Sequence, residues 1–68
     1  MYRLTKKTIS TEDGNKISVF GIQGTNVSVE DISVNGEKVL ALCNKCNEKQ
    51  LDEIHFFSVI EDFINEID

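Results

Sequence analysis

The first half of the chain alternates apolar and polar residues, with the two-residue period of a half-buried β-strand. The alternation covers residues 2–11 and residues 27 to 32 or 33, and residues 17–22 between them are predicted as the returning strand of a hairpin. Turn-forming residues separate them, at 12–15, where Asp-Gly supplies the positive φ angles of a tight hairpin, and at 23–26. We therefore predict a three-stranded antiparallel meander, which needs a helix over one face to be stable.

The middle strand carries apolar residues on both faces. Ile17 and Val19 fall on one face, and Phe20 and Ile22 fall on the other. This pattern is expected of a central strand whose second face is only partly covered. Gly21 interrupts the strand, and we predict that it marks a bulge or a close backbone contact.

The pattern changes to a helical period after residue 35. Four residues recur at i, i+3, i+4 and i+7 and so share one side of a helix: Val39, Leu42, Cys43 and Cys46. Asn35 is then the N-cap, with Glu37 favourably placed in the first turn. Because Asn35-Gly36 is also a strong hairpin signal, a fourth strand is the alternative.

The closing segment, residues 51–68, predicts the strongest helix. It holds three of the four Phe, the single His, six acidic residues and no Lys or Arg. Asp52 is a suitable N-cap, with Leu51 and Phe56 placed as a hydrophobic staple around it. An apolar stripe follows: Phe56, Val59, Ile60, Phe63 and Ile67, widened by Phe57 and Ile64. We predict an α+β fold of order β-β-β-α-α, with both helices packed on one face of the sheet.

Size and charge narrow the class of protein. The chain has 68 residues, no apolar run long enough for a membrane helix and no signal-peptide pattern at its start. We expect one small domain, residues 1–68, in the reducing cytoplasm. Residues 1–34 are neutral, so the whole net charge of −5 falls in residues 35–68. Because this acidic half repels phosphate backbones and anionic lipids, we expect no nucleic-acid or membrane partner.

Several short segments are similar to those of a known family. They are Tyr2, Leu4, Gly21-Ile22, Leu42-Cys43-Asn44, Leu51, Ile54-His55 and Val59-Ile60-Glu61-Asp62-Phe63. On these residues the chain resembles a family of short bacterial proteins known as domain of unknown function 6514. Phe56-Phe57-Ser58 departs from the aliphatic residues expected there, which changes bulk more than chemistry. The resemblance implies a small mixed fold and supplies no activity, cofactor or partner.

Cys43 and Cys46 have the spacing of zinc and redox motifs, and three interpretations stay open. Inside a helix, both thiols join the apolar side and act as small hydrophobes, which is the interpretation we favour. A zinc site needs more ligands, for which His55 with Asp52 or Glu53 is the candidate set, within one chain or across a dimer. A redox dithiol belongs at a helix N-terminus, whereas this pair lies late in the helix. We predict no cofactor, with a zinc-stabilised mini-domain as the alternative.

The acidic residues of the closing helix are the candidate binding residues. Glu61 and Asp62 fall on the side opposite the apolar stripe. Asp62, Glu66 and His55 share one edge, because they are spaced by four and seven residues. This acidic ridge would contact Lys or Arg of a protein partner. A second copy of the chain would also serve, through its basic residues Arg3, Lys6 and Lys7.

No catalytic set can be assembled from the sequence. The paired acidic residues are adjacent, so their side chains diverge on a helix or strand, whereas paired-carboxylate catalysis needs both on one substrate. A core this small also leaves little room for a substrate pocket of about 300 Å³. We predict a non-catalytic protein-interaction or regulatory module whose acidic C-terminal helix is the docking surface.

Overall fold

Three strands form one antiparallel sheet, and two helices follow them. The computed structural model describes residues 1–67, with side chains through Glu66. The strands are β1 (Arg3–Ser10), β2 (Lys16–Gln23) and β3 (Ser28–Ser33), in the order β1-β2-β3. The helices are α1 (Gly36–Glu48) and α2 (Phe56–Ile67), with a 3₁₀ turn (Glu53–His55) leading into α2. The predicted α+β order is confirmed, while the predictions for the Ile67 side chain and for Asp68 lie outside the described residues.

The β1–β2 loop is longer than predicted. The strands pair from Arg3–Gln23 to Ser10–Lys16, and residues 11–15 join them. Gly14 has a φ of +84°, but Asp13 does not adopt a positive φ, so the prediction of a tight turn with two such angles is wrong. The Asp13 carboxylate instead accepts hydrogen bonds from the Thr11 hydroxyl and, at 3.0 Å, from the Asn15 side chain. These local bonds stabilise the wider loop.

The backbones of β2 and β3 approach closely at Gly21. A Cβ atom placed there would lie 2.6 Å from Cα of Glu30, closer than such atoms can approach. The pairing of β2 with β3 also shifts register between Phe20 and Ile22. The predicted bulge and the predicted close contact at Gly21 are both confirmed.

One face of the sheet and the inner sides of the helices form the core. Ile22 pairs with Leu4 of β1 and with Val29 of β3, so these three side chains share that face. The buried cluster consists of Tyr2, Ile22, Ile32, Val39, Cys43, Cys46, Phe56 and Ile60. Phe56 is fully buried and Phe63 packs half-buried against the cluster, which confirms that the stripe of α2 faces inward. On the opposite face of β2, Val19 is covered whereas Ile17 is 40% exposed, as expected for a partly covered face.

Side chains and backbone define both ends of α1. The Asn35 side chain accepts a hydrogen bond from Lys38 N at 3.2 Å, so the predicted N-cap is confirmed and the fourth-strand alternative is wrong. At the other end, Leu51 N donates to Cys46 O at 2.9 Å, and Gln50 N donates to the carbonyl of Asn47 at 3.1 Å. This is a Schellman motif, and it requires the left-handed φ of +51° at Gln50.

The start of α2 differs from a regular α-helical turn. The Asp52 carboxylate accepts from Ile54 N at 3.4 Å, and His55 N donates to the Asp52 carbonyl at 2.9 Å, which together close a 3₁₀ turn. The Phe57 side chain is 55% exposed and meets the Phe56 ring edge-on at 5.4 Å. The prediction that Phe57 widens the inward stripe is therefore wrong. At this turn of α2 the core covers the side of Phe56 and does not extend to the side of Phe57.

Glu53 ties the start of α2 to the sheet. Its carboxylate accepts hydrogen bonds from the backbone N–H groups of Thr25 at 2.7 Å and Asn26 at 3.2 Å, in the turn between β2 and β3. An ionised acceptor that satisfies two turn amides makes stronger hydrogen bonds than a neutral one. The orientation of α2 is therefore fixed by this turn as well as by the core.

Candidate interaction surface

The structure places the predicted acidic residues of α2 on two sides of the helix. Glu61, Asp62 and Glu66 are all exposed, and so is His55 in the 3₁₀ turn. Asp62 and Glu66 line a groove between α1 and α2, whereas Glu61 is not among the residues that line it. Since successive residues on a helix are 100° apart, Glu61 falls instead on the side of Phe57, one turn away. Of the predicted binding residues, Asp62 and Glu66 therefore lie together at the groove, whereas Glu61 and His55 do not line it.

The groove has a basic wall and an acidic wall. Lys38 and Lys45 of α1 lie along one side, and Asp62 and Glu66 of α2 lie along the other. These four side chains form no ion pair within 4.0 Å of one another. The groove therefore presents opposite charges side by side, both open to solvent.

The floor of the groove is apolar. It is formed by Ala41 and Leu42 from α1 and by Val59 and Phe63 from α2, and the cavity measures about 360 Å³. This volume exceeds the size of about 300 Å³ for which little room was expected, because the space lies between the helices and not inside the core. No Cα–Cα distance between described residues of α1 and α2 is as short as 8 Å. Closely packed helices have axes 8–10 Å apart, with nearer backbone contacts. The two helices therefore lie side by side on the sheet with a gap between them.

The groove continues toward the connection between the helices. A second cavity of about 160 Å³ is lined by Leu42, Lys45, Cys46, Lys49, Leu51 and Val59. Lys49 thus extends the basic wall, and Leu51 closes that end. Residues near the end of α1 share this cavity with residues near the start of α2, whereas Lys38 and Glu66 line the other part. This order is that of an antiparallel helical hairpin.

The basic wall was not predicted, although the spacing of its lysines is visible in the sequence. Lys38, Lys45 and Lys49 are spaced by seven and four residues, which places them on one side of a helix. The spacing identifies a basic stripe on α1. It does not show that the stripe faces the acidic residues of α2.

Two large apolar side chains are exposed at the start of α2. Ile54 is 78% exposed and Phe57 is 55% exposed, three residues apart. Phe57 falls on the side of α2 away from the groove, one turn before Glu61, and Ile54 lies in the 3₁₀ turn that precedes it. Exposed apolar groups close together and flanked by charge are typical of contact surfaces for other proteins.

Cys43 and Cys46 lie in the core, as the favoured interpretation predicts. They are 2% and 3% exposed, and both are free thiols. Burial raises the pKa of the Cys43 thiol, and burial together with Cys43 raises the pKa of the Cys46 thiol. A reactive thiolate needs a lowered pKa, so the two sulfurs are in an environment that favours the inert thiol form.

The zinc alternative has its candidate ligands in different environments. Cys43 and Cys46 point into the core, whereas His55 and Asp52 are exposed in and before the 3₁₀ turn. Among the described residues, no three His, Cys, Asp or Glu side chains are grouped so that they could hold a metal ion. Zinc binding by this set would therefore require rearrangement or a second copy of the chain, and it stays a prediction.

The basic residues predicted to meet a second copy lie on β1. Arg3 donates hydrogen bonds to the Gln23 side chain on β2, at 3.1 Å and 3.3 Å. Lys7 lies 3.7 Å from the carboxylate of Glu30 on β3, with both side chains more than half exposed. Two of the three predicted basic contacts thus have a partner within the sheet, while Lys6 is exposed.

These features define a class of small α+β protein: an antiparallel meander covered on one face by a helical hairpin with a charged groove. No helix in the part of the chain that the structure describes is long and apolar enough to cross a membrane, α1 having 13 residues and α2 12. The chain belongs to a family of unknown function, DUF6514, which matches residues 1–66. No curated protein and no solved structure matches it. The resemblance seen in the sequence is confirmed, and the family carries no assigned activity.

Proposed function

We propose that this chain is a non-catalytic protein-interaction or regulatory module of the cytoplasm, and that its acidic C-terminal helix contacts a protein partner. One observation carries the proposal: Phe57 of α2 and Ile54 of the preceding 3₁₀ turn are exposed, whereas the other described apolar residues of α2 are at least half-buried. Glu61 follows Phe57 by one turn of α2. Aromatic anchors beside charged residues are typical of protein interfaces.

The rigidity of this surface supports the proposal. Phe56, the residue before Phe57, is fully buried and stacks on the Tyr2 ring with centroids 5.2 Å apart. Glu53, the residue before Ile54, is held by the turn between β2 and β3. Because Ile54 and Phe57 are each preceded by a residue that is held in place, binding a partner should cost this surface little conformational entropy.

The placement of the polar groups also favours binding over catalysis. Glu61 and Asp62 diverge to different sides of α2, and His55 is exposed before the helix, so these groups do not converge on one point. The two buried free thiols, Cys43 and Cys46, are typical of proteins in a reducing compartment, which supports the cytoplasm.

Affinity capture from cell extract tests the proposal. The tagged wild-type chain is compared with Phe57→Ser, Glu61→Lys and Asp62→Lys, and with Glu12→Lys as a matched control. Glu12 is exposed in the β1–β2 loop, so its reversal makes the same change in net charge away from α2. We expect a protein that is captured by the wild type and the control but lost with Phe57→Ser and with Glu61→Lys or Asp62→Lys.

The captured protein is then purified and its binding measured directly. A loss of about tenfold in affinity for Phe57→Ser corresponds to about 1.4 kcal/mol, the size expected for removal of one interface anchor. The proposal fails if every captured protein binds the α2 variants as well as the wild type. Circular dichroism of each variant is the control, and we expect it to show that the exposed substitutions leave the fold intact.

A further inference from the structure

We propose that the groove between α1 and α2 is the contact surface of a two-fold symmetric homodimer. The inference goes beyond the proposed function, because the groove is not lined by Ile54, Phe57 or Glu61 and the contact uses a different surface. It is carried by the charge pattern of the groove together with its apolar floor. Lys38 and Lys45 form one wall, and Asp62 and Glu66 form the other.

The floor supplies the apolar contact that such an interface needs. Leu42, Val59 and Phe63 are half-buried in the isolated chain, and the helices leave a cavity of about 360 Å³ above them. A second helical layer placed on the first would cover these side chains and remove their remaining apolar surface from water. The result is two stacked layers of two helices each, with one sheet on the outer side of each layer.

The charges select one of the two symmetric ways of stacking the layers. A two-fold axis that runs across the helices places α1 on α1 and lysines against lysines, which is repulsive. An axis that runs along the groove places α1 of each copy over α2 of the other. This rotation does not shift any residue along the groove, so residues at the same end of the groove face each other. Lys38 of one copy then meets Glu66 of the other, and Lys45 meets Asp62, so the surface is complementary to itself.

Symmetry also favours this contact over stacking the acidic helix on the sheet of another copy. A sheet-on-helix contact uses two different surfaces, so it continues from copy to copy unless the rotation closes a ring. The groove contact uses one surface twice and closes with two copies. In addition, Arg3 and Lys7 of the sheet already have partners in their own chain.

The area available sets the expected strength. Helices of 12 and 13 residues are about 18–20 Å long. A face of this length and two helices wide falls at the low end of the sizes seen for specific interfaces. We therefore expect a reversible dimer with a Kd in the micromolar range, between about 1 μM and 1 mM.

Sedimentation equilibrium of the purified protein measures the dimer. We expect dimer at about 1 mM protein and a rise in Kd as salt increases, because exposed charge pairs are screened. Reversing one wall, with Asp62→Lys/Glu66→Lys or with Lys38→Glu/Lys45→Glu, puts like charges together and should raise Kd by about tenfold or more. The control Glu12→Lys/Asp31→Lys has the same charge change as the first variant, outside the groove, and should dimerise like the wild type.

Mixing the two wall variants gives the sharper test. One copy then has two basic walls and the other has two acidic walls, so an equimolar mixture should form a heterodimer with a Kd near that of the wild type. The chain with all four residues exchanged should again form a homodimer. Neither result is expected if the substitutions act by disturbing the fold.

Carbodiimide crosslinking of the wild type gives evidence that needs no variant. In an equal mixture of ¹⁴N- and ¹⁵N-labelled protein, we expect light–heavy crosslinks that join Lys38 to Glu66 and Lys45 to Asp62. A wild type that is monomeric at about 1 mM, a mixture that does not restore the dimer, or a dimer whose light–heavy crosslinks join other residues would each overturn the proposal. If the chain is monomeric while a partner from extract still depends on Phe57 and Glu61, the homodimer fails and the proposed function stands.

Discussion

The carboxamide of Asn47 forms two hydrogen bonds with the backbone of Tyr2. Its Oδ1 accepts from Tyr2 N at 2.6 Å, and its Nδ2 donates to Tyr2 O at 2.7 Å. These are the two backbone groups that a residue of a neighbouring strand would bind. The Asn47 side chain, in the last turn of α1, therefore takes the place of such a residue. The hydroxyl of Tyr2 also donates to Leu51 O at 2.7 Å. The residue before β1 is thus held at its backbone and its side chain by the end of the helical hairpin.

Replacing Asn47 with Ala should lower the free energy of unfolding by about 2 kcal/mol, since two part-buried hydrogen bonds of about 1 kcal/mol each are lost. Urea unfolding followed by circular dichroism measures the change. Asn44→Ala, at an exposed position of the same helix, is the matched control and should be neutral or slightly stabilising because Ala is the better helix former. Equal effects at the two positions would contradict the role of Asn47.

Glu53 gives a second stability prediction. Glu53→Ala removes the acceptor of the Thr25 and Asn26 amides and should lower the free energy of unfolding by about 1–2 kcal/mol. Glu53→Gln keeps an oxygen acceptor and should recover part of that loss. Glu48→Ala, at an exposed position of α1, should change stability by less than about 0.5 kcal/mol. The measurement is again urea unfolding, and an unchanged midpoint for Glu53→Ala would show that the turn does not need its cap.

The features that were predicted from the sequence depend on residues close together in the chain. Asn35 caps α1 because its own side chain reaches Lys38 N, and Gly21 permits the bulge because it lacks a Cβ. Contacts made across the fold were not predicted, since nothing near Asn47 indicates that Tyr2 will lie beside it, 45 residues away. Phe57 was misplaced for a related reason. Its position at the edge of the apolar stripe is fixed by helical period, but whether that edge is covered depends on where the core ends.

The candidate surface was predicted in part. The acidic character of α2 and the exposure of Glu61, Asp62 and Glu66 follow from period and composition. The division of these residues between the groove and the side of Phe57 depends on where α1 lies, which local patterns do not specify. The groove itself arises from the gap between two helices that pack more closely on the sheet than on each other.

Gln50 adopts a left-handed backbone conformation that favours glycine. Its φ of +51° is required by the Schellman motif that ends α1. Gln50→Gly should therefore raise the free energy of unfolding by about 0.5–1 kcal/mol, the relief of left-handed strain being partly offset by the greater freedom of glycine in the unfolded chain. Lys49→Gly, one residue earlier at a φ of −90°, is the control and should not stabilise. A lower melting temperature for Gln50→Gly would contradict this explanation.

Stability should fall in alkaline solution. Burial raises the pKa of the Cys43 and Cys46 thiols from 9.0, and burial, followed by Glu53, raises the pKa of Tyr2 from 10.0. The folded chain keeps these protons where the unfolded chain loses them. The contribution of these three protonated groups to the free energy of unfolding is therefore complete below about pH 9. It is lost as the pH rises through their folded-state pKa values.

Melting temperatures between pH 7 and pH 11 measure this dependence. Tyr2→Phe should melt lower at pH 7, because the bond to Leu51 O is lost, and should show a shallower decline above pH 10. Since Tyr2 is the single tyrosine, tyrosinate absorbance reports its ionisation directly. A stability that does not change up to pH 11 would mean that these groups titrate as they do in the unfolded chain.

Removal of metal distinguishes the core interpretation of the cysteines from the zinc alternative. Cys43 and Cys46 belong to the buried apolar cluster, whereas His55 lies outside at the surface. If the sulfurs contribute by packing, an excess of chelator should leave the melting temperature unchanged within about 1 °C, because no bound ligand stabilises the folded state. Cys46→Ser should then destabilise equally with and without added zinc. A metal-bound site would behave in the opposite way, with zinc found by elemental analysis, a melting temperature lowered by chelator, and a His55→Ala variant that no longer responds to the metal.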